Sequence, residues 1–249
     1  MGKTVMITGA GSGFGRLAAL ALFERGHDVI ATTETSDQAA HLASDAPTLR
    51  IEVLDITSRD VERADEWGVE VLINNAGAGE TGPLADVPLE RVRRLFDVNV
   101  FGTLAVTQVV LRGMVARRAG RIIVMSSVAG VVPAPGFGPY SMTKHALEAF
   151  AKTLRMEVSP LGIDVTLINP GPYQTGFNDR MVESMWEWFG ERSLNAGESE
   201  LFKMVGDFVT TDQRDPADVA RCLVELVEAE TTNENNFVPD DILRQLGVA

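Results

Sequence analysis

Hydrophobic residues along this chain alternate between two textures. Short, nearly continuous apolar runs cover Val5 to Ile7, Val29 to Thr32, Leu49 to Leu54, Val69 to Ile73, Ile122 to Met125 and Ile163 to Ile168. Such runs mark strands buried on both faces. Between them apolar positions recur at helical spacing, as in Leu17, Leu20, Ala21 and Leu22. Behind Pro88 the same spacing (Val92, Leu95, Phe96, Val100, Leu104, Val109, Val110) lasts for about seven turns. Pro139 suits the first turn of a helix reaching Ser159, where the N–H that proline lacks would have no partner. Asp215 and Pro216 cap a last helix ending near Glu228, and the tail from Phe237 carries no diagnostic pattern. This alternation predicts an α/β fold: a Rossmann-type doubly wound parallel sheet of about seven strands, helices on both faces, right-handed crossovers.

From Tyr173 to Asp212 the texture changes. Met181, Met185, Trp186, Trp188, Phe189, Leu201, Phe202, Met204 and Phe208 fall in an acid-rich segment that follows a strand. Flexible methionines and broad aromatics suit a surface that closes over an apolar ligand. Residues 173–212 are therefore expected to form a helical substrate lid inserted in one domain spanning 1–249.

Composition narrows the choice of function. The net charge of -13, from 22 Lys+Arg against 35 Asp+Glu, argues against a nucleic-acid partner or an anionic membrane surface. No apolar run approaches the ~18 residues of a membrane span, and a first strand starting by Thr4 leaves no room for a signal peptide. A cytoplasmic location is the expectation. Cys222 is the only cysteine, so no internal disulfide forms, and its apolar neighbours Leu223, Val224 and Leu226 mark it as a core residue.

Candidate chemistry gathers where the apolar runs end. The first run leads into Thr8-Gly9-Ala10-Gly11-Ser12-Gly13-Phe14-Gly15 and then a helix. Glycines let a backbone approach a pyrophosphate, and a helix N-terminus offers it N–H groups and a positive dipole end. Past the second run stands Glu34, an acidic group able to accept from an adenosine 2′-hydroxyl and to repel a 2′-phosphate, which favours NAD over NADP. The third run closes on Asp55 and the fourth on Asn74-Asn75-Ala76-Gly77. Asn99 is a polar amide inside the long helix, a position that calls for a partner. The fifth run ends at Ser127, followed by Tyr140 and Lys144, which share a helix face. An ammonium beside a phenol favours the phenolate, a way to make tyrosine a proton-transfer group near neutral pH. The sixth run ends in the rigid turn Asn169-Pro170-Gly171-Pro172.

Taken together these stretches resemble the short-chain dehydrogenase/reductase family over nearly the whole chain. Thr8 to Gly15 is similar to its cofactor motif, Asn74 to Gly77 to its N-N-A-G, and Tyr140 to Lys144 to its Y-x-x-x-K with Ser127 upstream. Pro139 to Ala151 and Gly162 to Phe177 resemble most the hydroxysteroid and retinol dehydrogenase branch. The resemblance implies a bound NAD or NADP held by Gly9, Ser12, Gly13, Phe14, Gly15, Glu34, Asp55, Ile56, Asn75, Ala76, Gly77, Tyr140, Lys144, Pro170, Gly171 and Thr175. It implies Tyr140 as the acid/base, Ser127 on the substrate oxygen, Lys144 acidifying Tyr140 and holding the nicotinamide ribose, and Asn99 holding a water that links Lys144 to solvent. No metal is implied. The expected activity is interconversion of a secondary alcohol and a ketone, on a bulky or apolar substrate, by a homodimer or homotetramer. Two other functions fit the same fold. A halohydrin-dehalogenase-like lyase would replace the lysine by arginine and lose the glycine motif, and a dinucleotide-sensing regulator would tolerate loss of Ser127 or Tyr140.

Overall fold

The computed structural model describes residues 2–248. Strands β1 (Thr4–Ile7), β2 (Asp28–Thr33), β3 (Arg50–Val53), β4 (Val71–Asn74), β5 (Gly120–Met125), β6 (Ile163–Pro170) and β7 (Asn235–Val238) pair in parallel as one sheet, in the order β3-β2-β1-β4-β5-β6-β7. The order reverses between β1 and β4, and a crevice opens outside the carboxyl ends of strands at such a switch point.

Nine α-helices accompany the strands among the described residues: α1 (Gly13–Glu24), α2 (Ser36–Asp45), α3 (Leu89–Phe96), α4 (Thr103–Arg117), α5 (Gly138–Val158), α6 (Phe177–Ser184), α7 (Ser199–Thr210), α8 (Ala217–Glu228) and α9 (Ile242–Gln245). A 3-10 helix, Arg59–Trp67, joins β3 to β4, with the Ser58 hydroxyl accepting from the Asp60 N–H at its start. Strand alternation divides the core into two layers. Val5 and Ile7 point to the side covered by α1 and α8, where they meet Ala18, Leu22, Val219 and Leu223. Met6 and Ile30 point to the other side and meet Val106 and Val110 of α4 and Leu147 and Leu154 of α5.

The helix behind Pro88 is continuous from Leu89 to Arg117, but Asp97–Gly102 winds as a π-turn between α3 and α4. Its length agrees with the helical spacing read behind Pro88. Contrary to the expectation of no span-length apolar segment, it contains an 18-residue window of mean hydropathy 1.4, long and apolar enough to cross a membrane. Its Val106, Val109, Val110 and Met114 are buried against the sheet.

The tail supplies the seventh strand of the expected sheet. Asn235–Val238 pairs with Leu167 to Pro170 as a seventh strand, and α9 follows. The strand holds just two apolar residues, Phe237 and Val238, so periodicity does not announce it, and pairing to β6 supplies its order.

Candidate active site

A cavity of about 930 Å³ opens along the carboxyl ends of β1, β2, β3, β4, β5 and β6. Its floor at β1 is the glycine turn. Gly9 has φ +67°, and a side chain there would strike the backbone of Ala76 at 2.8 Å, so the two turns after β1 and β4 can touch through glycine alone. Thr8 and Asn75 lock that contact. The Thr8 hydroxyl accepts from the N–H groups of Asn75 and Ala76, both at 3.0 Å, and the Asn75 amide donates to the Thr8 and Gly9 carbonyls at 2.9 and 3.1 Å. Helix α1 starts behind Ser12, whose side chain does not cap it. Its first-turn N–H groups therefore face the cleft without a side-chain partner.

Glu34, at the end of β2, lines the cleft with Gln38, Asp55, Ile56, Thr57, Arg94 and Val98. One oxygen of Asp55 is engaged by the Thr57 N–H and hydroxyl, at 2.8 and 2.7 Å, which shapes the turn behind β3. Gly77, Pro170, Gly171 and Thr175 line the middle of the cavity.

At its centre lie Ser127, Tyr140 and Lys144. Ser127 is extended at the end of β5, and its hydroxyl accepts from the Ala129 N–H at 3.1 Å. Tyr140 and Lys144 lie on the first two turns of α5, which carries Pro139 in its first turn as expected. Both are buried, 7% and 5% exposed. The Lys144 Nζ donates to the Met125 carbonyl at 2.7 Å and stands 5.5 Å from the Tyr140 ring centre.

The electrostatics differ from the sequence expectation. Burial pushes the Tyr140 phenol above its ordinary value, with the Ser127 side chain pulling weakly the other way, and it draws Lys144 down to about 8. Removing solvent disfavours both charged forms and here outweighs any acidification of Tyr140 by Lys144. At neutral pH the pair in this cavity is a neutral phenol beside an ammonium ion.

Two expected residues lie outside the cavity lining. Gly15 is packed: a side chain there would run into the Asn75 amide and the Gly9 carbonyl. Asn99 is wholly buried in the π-turn. Its Oδ1 accepts from the Ala78 N–H at 2.7 Å, and its Nδ2 donates to the Ala78 carbonyl and the Thr143 hydroxyl, both at 3.0 Å. Those bonds occupy both amide hydrogens, so the side chain clamps the loop after β4 onto α5.

The far end of the cavity is largely apolar, with Asn178, Arg180 and Asp207 also in its lining. Ala129, Val132, Phe137, Phe177, Met181, Val205, Phe208 and Val209 line it, and the Phe177 ring lies 5.8 Å from that of Tyr140. Met181 and Phe208 come from the segment expected to cover the substrate. Other members of that set pack elsewhere: Met185 and Phe202 are buried, while Trp186 and Met204 are 39% and 63% exposed. Sequence reasoning missed Arg94, Phe137, Val205 and, from the tail, Ile242, Gln245 and Leu246, all of which line the cavity. The i, i+4 relation of Val205 and Val209 on α7 was the one available signal. Among the described residues no cluster of three or more His, Cys, Asp or Glu could hold a metal ion. Cys222 packs against the core, and burial raises its thiol to about 11, which makes it a poor nucleophile.

Comparison with known proteins agrees with this geometry. The short chain dehydrogenase family profile matches residues 3–186. The oxidoreductase YusZ of Bacillus subtilis is 34% identical over 243 residues, covering 90% of this chain and 84% of YusZ. Retinol dehydrogenase 8 of Bos taurus is 30% identical over 250 residues, covering 90% and 78%. Among solved structures, the closed form of a serine dehydrogenase complexed with NADP+ superposes with a TM-score of 0.80 at 25% identity, covering 94% of this chain and 93% of that one.

Proposed function

Given that the chain belongs to the short-chain dehydrogenase family, we propose that it is a nicotinamide-dinucleotide-dependent oxidoreductase interconverting an apolar secondary alcohol and its ketone, with NAD favoured. One observation carries this reading: the glycine turn at the start of α1 and the set Ser127, Tyr140 and Lys144 open into the same cavity. The residues present fit a dinucleotide. Gly9 and Gly13, at φ +67° and +54°, keep side chains out of the place where a pyrophosphate would meet the α1 N-terminus, and Glu34 stands where an adenosine ribose would end.

Bound there, the dinucleotide supplies a hydride acceptor or donor. The chain's own residues handle the proton. Tyr140 gives its hydroxyl proton to a carbonyl oxygen in reduction and takes one from a hydroxyl in oxidation. Burial keeps the phenol protonated at neutral pH, the state that reduction starts from. Ser127 orients the substrate oxygen by hydrogen bonding. Lys144, fixed by the Met125 carbonyl, would hold the nicotinamide ribose and supply the positive charge that stabilises Tyr140 as it loses its proton. Asn99 places α5 relative to the turn after β4. The largely apolar far end favours a bulky or extended substrate, in line with the name of the retinol dehydrogenase relative. Intact Ser127, Tyr140, Lys144 and glycine turn weigh against the dehalogenase and sensor alternatives.

The test is a panel of aliphatic, cyclic and steroid ketones and alcohols, assayed with both cofactors at the absorbance band of the reduced nicotinamide. Turnover of apolar members and its loss in Tyr140→Phe, with dinucleotide binding retained, are the expected results. Full activity in Tyr140→Phe would remove that residue from the mechanism.

A further inference from the structure

Beneath the proton-transfer residues lies a second buried polar layer. Glu148 stands on α5 one turn past Lys144 and is 5% exposed. A carboxylate so far from water persists when charge and hydrogen bonds replace its hydration. Its Oε1 accepts from the Asn169 Nδ2 at 2.6 Å, and its Oε2 accepts from the Asn235 Nδ2 at 3.0 Å and lies 3.3 Å from the Lys152 ammonium. The two asparagines are also joined, Asn235 donating to the Asn169 Oδ1 at 3.1 Å.

This layer reaches the site by two routes. The Asn169 Nδ2 also donates to the Ser127 carbonyl at 3.3 Å, which ties the backbone of Ser127 to the carboxylate. Gly130 lets α5 close onto the turn after β5: a side chain there would meet the Ser126 hydroxyl at 2.7 Å, the Lys144 carbonyl at 3.1 Å and the Glu148 Cγ at 3.2 Å.

We propose that Glu148 is a positioning residue for the reaction, fixing the backbone of Ser127 through Asn169 and setting a carboxylate one helix turn from Lys144. The inference rests on the oxidoreductase reading above. Burial draws Lys144 down to about 8, and Glu148 is the charge that acts against that pull. The other groups facing Lys144 are the Tyr140 ring from its own helix and the Met125 carbonyl from β5. Glu148 is faced by Lys152 from α5, Asn169 from β6 and Asn235 from β7, and Lys152 lies 4.0 Å from Glu234 as well.

Glu148→Gln preserves shape, removes the charge and sets a donor against an asparagine donor. The alkaline limb of kcat/KM is expected to fall about one pH unit lower in this variant, because an opposite charge at this range moves a titration by that order. At its pH optimum, kcat/KM for the ketone should also fall, because Ser127 is no longer held through Asn169. The Lys144 side-chain NMR signal in the ligand-free protein, assigned with Lys144→Arg, should titrate lower by the same amount. That readout needs no turnover, so it judges Glu148 even if the panel above finds no activity. Glu148→Asp, which keeps the charge but withdraws it, should shift both in the same direction by less, and it decides the matter if Glu148→Gln does not fold. A lowered melting temperature with the pH limb and the Lys144 titration unmoved would overturn the proposal and leave Glu148 a packing residue.

Discussion

Lys144 and Tyr140 pull the pH dependence of stability in opposite directions. In the folded chain Lys144 titrates near 8 instead of its ordinary 10.5, so between those values the unfolded chain binds more protons than the fold. Stability rises with pH wherever that holds. The cost of burying the ammonium is thus felt in full below pH 8 and fades toward pH 10.5. Tyr140, raised above its ordinary 10.0, does the reverse: beyond that pH the unfolded chain has given up a proton that the fold retains, and stability falls. Chemical unfolding measured across pH 8 to 10 should therefore show wild type gaining on Lys144→Met by up to about 1.4 kcal/mol per pH unit. A gap that stays flat over that range would mean that Lys144 does not change charge there. Residue types were legible in the chain long before their environments were. Tyr140, Lys144 and Ser127 could be picked out by spacing, but the direction of the Tyr140 shift depends on how much water the assembled cavity excludes. Asn99 likewise stood out as a polar group in an apolar helix, while its partners Ala78 and Thr143 come from segments distant in sequence.

Elements followed the hydrophobic pattern wherever that pattern was strong. The first six strands and the long helices α1, α5 and α8 lie where period and capping residues place them. What the pattern concealed is the use of exposed faces. Phe101, Leu104 and Val115 are 58%, 36% and 40% exposed on the π-turn and α4, and Met142 and Met156 are 44% and 72% exposed on α5, which packs beside that turn. If the chain forms the homodimer or homotetramer that the family resemblance implies, these exposed apolar side chains on two adjoining helices are where its contact is expected. Sedimentation velocity should find wild type heavier than 26.9 kDa and Phe101→Glu shifted toward it. A wild-type protein sedimenting at 26.9 kDa at micromolar concentration would end this reading.

At the scale of the whole molecule, the cavity draws on six strand ends at once, from Glu34 beyond β2 to the apolar wall contributed by α7. A ligand spanning it favours the folded chain by mass action, about 2.7 kcal/mol at a hundredfold excess over Kd. For a domain of this size that corresponds to a rise in Tm of roughly 5–10 °C. NAD should give the larger rise in wild type and NADP the larger in Glu34→Arg, as a scanning fluorimeter would record. Equal rises with both cofactors in both proteins would leave Glu34, exposed at the edge of the cleft, without influence on the choice. The chain by itself determined the alternation of strand and helix, the parallel sheet and the placement of glycine, serine, tyrosine and lysine at strand ends, because periodicity and turn chemistry are local properties. Tertiary structure alone decided which residues form the seventh strand, which two apolar residues could not announce, the entry of Arg94, Phe137 and Leu246 into the cavity wall, and the balance of burial against charge around Tyr140. Each of these depends on which distant segments meet, and contacts of that kind leave no period in the sequence.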